Sequence, residues 1–471
     1  MRIDRVFAVL AMSVTLGVTA EAQNTNQSRR ACVGSEPTYS LAQQVEGCTA
    51  VISTGTRAPA ELAGALDNRG TAYARQQLFT LAIADFDASI RLNPNGALTF
   101  YNRGRAYADQ KQYRLAIADF DQSIRLRPDL AAAFSNRGNA YDQQKQSERA
   151  IADYDQAIRL QPGDAAAFNT RGIAYAKQHQ YARSMADYNE AIRLKPDYAA
   201  AITNRGLAYA DQKQYARAMA DYNEAIRLKP DYAAAINNRG LAYVDQKQYL
   251  RAIADFDEAI RLQPSNAAIF SNRGEAYGHQ QQLARAIADF DQAIRLKPDD
   301  TVAFYNRGLA YDKQHQYGRA IADYDEAIRL EPDDAASFLN RGNAYAQQRQ
   351  YARAIANYDE AIRLKPDDAA AAHNRSVAYG KLSELRADTM LFDHGIWFLI
   401  GLALLPRITL VLFAATPFGW LAWVGWLIAP HLLVAILSIP YWNTHPFLVI
   451  IAWLMALFGT GGETAAVRRG A

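Results

Sequence analysis

AAAFSNRGNAYDQQKQSERAIADYDQAIRLQPGD, residues 131–164, decides the fold, because the chain repeats this 34-residue unit from Ala63 onward. Gly138 recurs as Gly70, Gly104, Gly172, Gly206, Gly240, Gly274, Gly308 and Gly342. Pro162 recurs as Pro94, Pro128, Pro196, Pro230, Pro264, Pro298, Pro332 and Pro366. Such a period marks a helix–turn–helix solenoid, in which each unit buries its apolar face only against its neighbours. Phe134, Gly138 and Tyr141 are spaced to share one face of a first helix, and Ala150, Tyr154, Ala157 and Ile158 one face of a second. The small residues let backbones approach, and the aromatics fill the space between units. Pro162 ends the second helix, since it has no N–H and biases the residue before it away from helix. Asp164 is read as the next N-cap, worth about 1 kcal/mol. Arg159 falls in the last turn, where a cation suits the helix dipole.

Counted in columns from Ala63, the pattern resembles that of the tetratricopeptide repeat (TPR) family. It has an aromatic at column 4, Gly at 8, Tyr at 11, Ala at 20, an aromatic at 24, Ala at 27 and Pro at 32. In the eighth unit these are Phe304, Gly308, Tyr311, Ala320, Tyr324, Ala327 and Pro332. The resemblance covers Ala63 to about Leu382 and implies an all-α superhelical solenoid of about ten helix–turn–helix repeats. Column 7 departs from the family: its usual Leu is replaced by Arg69, Arg103, Arg137, Arg171, Arg205, Arg239, Arg273, Arg307, Arg341 and Arg375. Column 23 is Asp from Asp85 to Asp323, and Asn357 in the ninth unit. Arg followed sixteen residues later by Asp predicts an ion-pair ladder between the two helices, because a partly buried Arg needs a partner. The competing reading is a basic strip for an anionic ligand.

The resemblance also implies that the first helices line a groove. Column 6, which faces it, reads Asn68, Asn102, Asn136, Thr170, Asn204, Asn238, Asn272, Asn306, Asn340 and Asn374. This row resembles the asparagine ladder in the TPR superhelix of O-GlcNAc transferases, where such residues hold extended polypeptide by its backbone. A carboxamide offers a donor and an acceptor to a peptide unit, so recognition would be largely independent of sequence. The alternative is that these amides only bond to neighbouring repeats. No repeat has Lys at column 5, so the carboxylate clamp of chaperone-binding TPR domains does not carry over.

Catalysis finds no support. There is no HExxH motif and no phosphate-cradling Gly-rich loop, and His179, His279, His315 and His373 are scattered. No catalytic residue, metal site, cofactor or small-molecule substrate is indicated. With 51 basic against 48 acidic residues there is no case for nucleic acid. The expected partners are proteins or extended peptides.

The flanks set the expected location. Residues 1–22 read as a signal peptide: Arg2 and Arg5, an apolar run from Val6 to Ala20, then Ala20-Glu21-Ala22. An uncleaved anchor would export the array equally. Residues 23–62 form a capping segment in which Cys32 and Cys48 are read as one disulfide, holding a helix over Leu41–Ser53 to the front of the array. Zinc is the weaker reading, for want of a nearby His. The array runs over 63–382 and a linker over 383–394. Residues 395–460 carry two or three membrane-spanning helices with Trp420, Trp423, Trp426 and Trp442 at their boundaries. Arg468 and Arg469 favour a cytoplasmic tail over 461–471. Arg407 and His431 adjoin prolines, whose freed carbonyls they can satisfy. The expectation is a bacterial inner-membrane protein with its array in the periplasm, acting as an interaction scaffold. The alternative is a recruiting subunit of a transporter or enzyme whose activity lies in the membrane region.

Overall fold

The computed structural model describes residues 26–34, 39–54, 58–390 and 450. The expected signal peptide, tail and membrane segments, residue 450 apart, lie outside the described residues. Among those described, every regular element is helical, and no helix is long and apolar enough to cross a membrane. The helices fall into two units, one ending at Ser265 and one beginning at Asn266.

The first unit opens with α1 (26–33) and α2 (Leu41–Ser53). Six helix pairs follow: α3 (Pro59–Arg75) with α4 (Phe79–Leu92), α5 (Ala97–Asp109) with α6 (Tyr113–Leu126), and α7 (Ala131–Gln143) with α8 (Ser147–Leu160). Then come α9 (Ala165–Lys177) with α10 (Tyr181–Leu194), α11 (Ala199–Asp211) with α12 (Tyr215–Leu228), and α13 (Ala233–Asp245) with α14 (Tyr249–Leu262). The second unit holds α15 (Ala267–His279) with α16 (Leu283–Leu296), α17 (Thr301–Lys313) with α18 (Tyr317–Leu330), and α19 (Ala335–Gln347) with α20 (Tyr351–Leu364). It closes on α21 (Ala369–Met390).

Each pair closes where a column-24 ring lies over the column-8 glycine. A Cβ on Gly206 would stand 2.8 Å from Cε1 of Tyr222, nearer than a real methyl tolerates. The turn between the helices is a Schellman motif. Gln214 N–H donates to the Tyr209 carbonyl at 2.8 Å, Lys213 N–H donates to that of Ala210 at 2.7 Å, and Lys213 sits at φ 59°. The same left-handed column is Lys, His, Gln or Arg in nine turns and glycine in none. Asp164 caps α9 as the sequence predicts, and Asp300 and Asp334 cap α17 and α19. Tyr198 and Tyr232 hold that column without a side-chain cap. Tyr232 instead packs on Ala199, Ile202, Ala225 and Ala235, replacing a polar cap with apolar burial.

Cys32 and Cys48 form a disulfide joining α1 to α2, and Cys48 is fully buried. Helix α2 packs on α3 as the second helix of a preceding repeat would. Its Thr49 Oγ1 accepts a 3.1 Å bond from Arg69 Nη1. At the other end, α21 departs from expectation. Residues 383–390, expected to open a linker, continue the helix, because Lys381–Met390 carries good helix formers where other repeats place their left-handed turn. Ser376 replaces the column-8 glycine there and is exposed.

The Arg–Asp ladder is present and reaches further than the spacing alone implies. Arg103 donates through Nε and Nη2 to both oxygens of Asp119, at 2.7 and 2.6 Å. Its Nη1 reaches back to Asp87 of the preceding repeat at 2.5 Å. Arg137, Arg171 and Arg307 repeat this arrangement with Asp153 and Asp121, Asp187 and Asp155, and Asp323 and Asp291. In Arg205 and Arg239 the backward partner is Asn189 or Asn223. Each guanidinium thus ties its own second helix to that of the repeat before. Replacing one by leucine strands a buried carboxylate. Arg205→Leu is therefore expected to lower stability by about 3 kcal/mol in urea denaturation, through the uncompensated Asp221. Unchanged stability would count against the ladder.

Candidate functional site

Within each unit, successive first helices touch one another: α9 meets α11, α11 meets α13, and α15 meets α17. Second helices of successive repeats do not approach so closely. The first helices therefore line the inner side, and their columns 5, 6, 9, 12 and 13 form its wall.

The column-6 amides are half-buried and share one habit. Their NH2 groups donate to the preceding repeat. Asn136 Nδ2 donates to Tyr101 Oη at 3.0 Å and also to the Ala132 carbonyl at 2.8 Å. Asn204 donates to Asn169 Oδ1 at 2.9 Å, Asn340 to Tyr305 Oη at 2.9 Å, and Asn374 to Asn343 Oδ1 at 2.9 Å. Asn102 makes longer approaches of 3.5 Å to Asp67 and Thr71. Bonding between repeats and a groove role are thus not exclusive. Among the described residues, no donor claims the carbonyl oxygens of Asn102, Asn136, Asn204 or Asn374. Each of these amides is held by its nitrogen and keeps its carbonyl oxygen without a donor among the described residues.

The row is not uniform. Thr170 turns its hydroxyl onto its own helix, donating to the Ala166 carbonyl at 2.9 Å. Asn238 accepts from the neighbouring Asn237 at 3.4 Å. Asn68, Asn272 and Asn306 keep the same column and are half-buried. Column 9 varies the wall more strongly. It is Ile173, Leu207 and Leu241 in three consecutive repeats of the first unit, but Arg105 and Asn139 before them.

Column 9 also governs the tyrosine hydroxyls behind the wall. Tyr154 donates to Asn139 Oδ1 at 2.8 Å, and Tyr358 donates to Asn343 Oδ1 at 3.0 Å. Where column 9 is Leu207 or Leu309, the buried hydroxyls of Tyr222 and Tyr324 find no partner. Burial pushes these tyrosines well above the usual phenol range, and Tyr188 and Tyr358 up to about 12. The Asp pairs of IADYD, by contrast, hold arginines and form no catalytic dyad. Sequence reasoning missed the backward half of the ladder, although the second Asp of IADYD recurs in step sixteen residues before each next Arg.

Among the described residues, no group of three or more His, Cys, Asp or Glu is placed to hold a metal. Family models described as tetratricopeptide repeat or TPR repeat match 104–145, 131–164, 165–198, 206–247, 237–301 and 305–369, together more than half of the chain. Comparison with curated proteins gives no match. Several solved structures are similar. YrrB, a TPR protein with an unusual peptide-binding site, is 25% identical, with 40% of this chain and 97% of that one covered and a TM-score of 0.35. For the APC/C hetero-tetramer Cut9–Hcn1 the identity is 13%, the coverage 75% and 86%, and the TM-score 0.47. For a tetratricopeptide repeat protein of Parabacteroides merdae they are 17%, 53% and 98%, and 0.42.

The hydroxyls give two predictions. Tyr154→Phe is expected to lower stability by about 1 kcal/mol and Tyr222→Phe to raise it by about as much, since only the first hydroxyl has a partner. Phe256 and Phe290 already fill the same column, so the ring fits. Equal effects in urea denaturation would refute the distinction. Tyrosines raised in the folded state stabilise it fully below the unfolded value of about 10 and lose that contribution as pH climbs through the folded value. Stability should therefore fall between about pH 10 and 12, and a Tyr188→Phe, Tyr358→Phe variant should fall less steeply.

Proposed function

The chain belongs to the tetratricopeptide repeat family, and on that premise we propose that it is an exported, membrane-anchored scaffold whose groove holds partner polypeptide in extended form. TPR folds act by presenting surface to proteins, and among the described residues no His, Cys, Asp or Glu cluster is placed to hold a metal. One observation carries the groove reading: the amides of Asn136, Asn204 and Asn374 are pinned by their nitrogens to the preceding repeat, and among the described residues no donor claims their oxygens. An extended peptide presents N–H groups along one edge, and a row of fixed acceptors meets them whatever the side chains are. Export is supported by the signal-like residues 1–22 and by the Cys32–Cys48 disulfide, which suits an oxidising compartment. The apolar segments over 395–460 supply the anchor, so the array would face the periplasm of a bacterial envelope and the tail the cytoplasm.

The test uses the full chain in detergent and a fluorescent, permanently unfolded polypeptide: carboxymethylated lactalbumin without disulfides. Changing Asn102, Asn136 and Asn204 together to Ala is expected to weaken its binding about a hundredfold, several modest hydrogen bonds being lost at once. Unchanged binding by a folded variant would move the site off the groove.

A further inference from the structure

In the second unit, two buried polar atoms stand unsatisfied on the paired helices α17 and α18. Asp312 Oδ1, at column 12 on α17, and the Tyr324 hydroxyl, at column 24 on α18, have no hydrogen-bond partner. The third repeat holds the counterparts of both, and there both are satisfied. Asp142 accepts from Lys177 Nζ, at column 13 of the next repeat, at 2.6 Å, and Tyr154 donates to Asn139 at 2.8 Å. In the later repeat the lysine's place is taken by Gln347 and the asparagine's by Leu309. The chain itself therefore records what a column-12 carboxylate on this wall receives, which is a lysine ammonium from the groove side.

We infer that Asp312 is the recognition point for a basic side chain, lysine above all, on the polypeptide held in the second unit's groove. This rests on the groove reading and adds a sequence preference to it. The surroundings suit an ammonium. The Tyr305 ring lies tilted beside that of Tyr324, with centroids 6.1 Å apart. The Tyr305 oxygen already accepts from Asn340 at 2.9 Å, which leaves its ring as the apolar part of this wall. The nearby cations do not close the site. His315 Nδ1 is engaged with the Tyr317 hydroxyl at 2.8 Å, and Lys313 is exposed at the adjacent column. Burial raises the Asp312 carboxyl, with His315 opposing, as expected for a carboxylate still lacking its counter-ion.

The test compares two fluorescein-labelled dodecapeptide pools, random in Gly, Ala, Ser, Thr and Asn, one with a central Lys and one with a central Gln. Binding to the full chain in detergent is read by anisotropy. The Lys pool is expected to bind about tenfold tighter, the worth of one charge-assisted hydrogen bond. Asp312→Asn should erase that preference while leaving the Gln pool unchanged. Gln347→Lys should do the same by supplying the lysine internally, as Lys177 does for Asp142. A preference that survives both variants, or is missing from a wild type that binds the Gln pool, overturns the assignment and leaves the groove standing. If neither pool binds the wild type, the groove reading falls and the assignment with it.

Discussion

Most of the array leans on one interaction, the three-way grip of the column-7 arginines Arg103, Arg137, Arg171, Arg205, Arg239 and Arg307. A guanidinium is a rigid fork of five N–H donors, and here three are aimed. Nε and Nη2 take both oxygens of the column-23 aspartate, and Nη1 takes the column-25 side chain one repeat earlier. Three helices are fixed by one side chain. An ion pair of this kind adds little net stability over a well-packed leucine, because taking charges out of water is costly. What it adds is direction. Removing either partner leaves a buried charge, so within each unit a repeat has one low-energy setting against the last.

That setting aims the groove. Columns 6 and 7 are neighbours about 100° apart around the helix. With the arginine locked against the second helices, the asparagine before it turns to the inner side. Its amide then completes the link on the other face by donating to the preceding repeat, as Asn136 does to Tyr101 and Asn340 to Tyr305. The same geometry that ties repeats together leaves the carbonyl oxygens of Asn102, Asn136 and Asn204 without a donor among the described residues, whereas that of Asn340 accepts from Asn343. The disulfide-linked cap obeys the same rule at the front, with Thr49 receiving Arg69 where later repeats offer column 25. At the back, among the described residues, Arg375 has its backward partner Asp359, and α21 runs on as one helix.

The period was enough to read the helices and the forward half of the ladder, since those pairs fall within one repeat; that the column-8 glycine makes room for the column-24 ring of its own repeat was not read from it. What escaped it depends on which residue a neighbour contributes. Arg103 reaching back to Asp87 requires knowing how repeats stack. The Tyr324 hydroxyl is orphaned because Leu309 stands where Asn343 serves Tyr358. The straight run of α21 into residues expected as linker follows from a missing turn, a signal weaker than the presence of one. The groove asparagines were legible as a column. That their nitrogens are spent and their oxygens are not could be seen only in three dimensions.

The central claim is that polypeptide lies along the inner wall. Site-specific photocrosslinking tests it most directly, with benzoylphenylalanine placed at Leu207 on that wall or at Glu224 on the second-helix face. Both positions are accessible to solvent, so neither probe disturbs the packing. Illumination in the presence of the unfolded polypeptide should yield adducts from Leu207 and few or none from Glu224. Adducts arising equally from both positions, or chiefly from Glu224, would contradict a groove-binding scaffold.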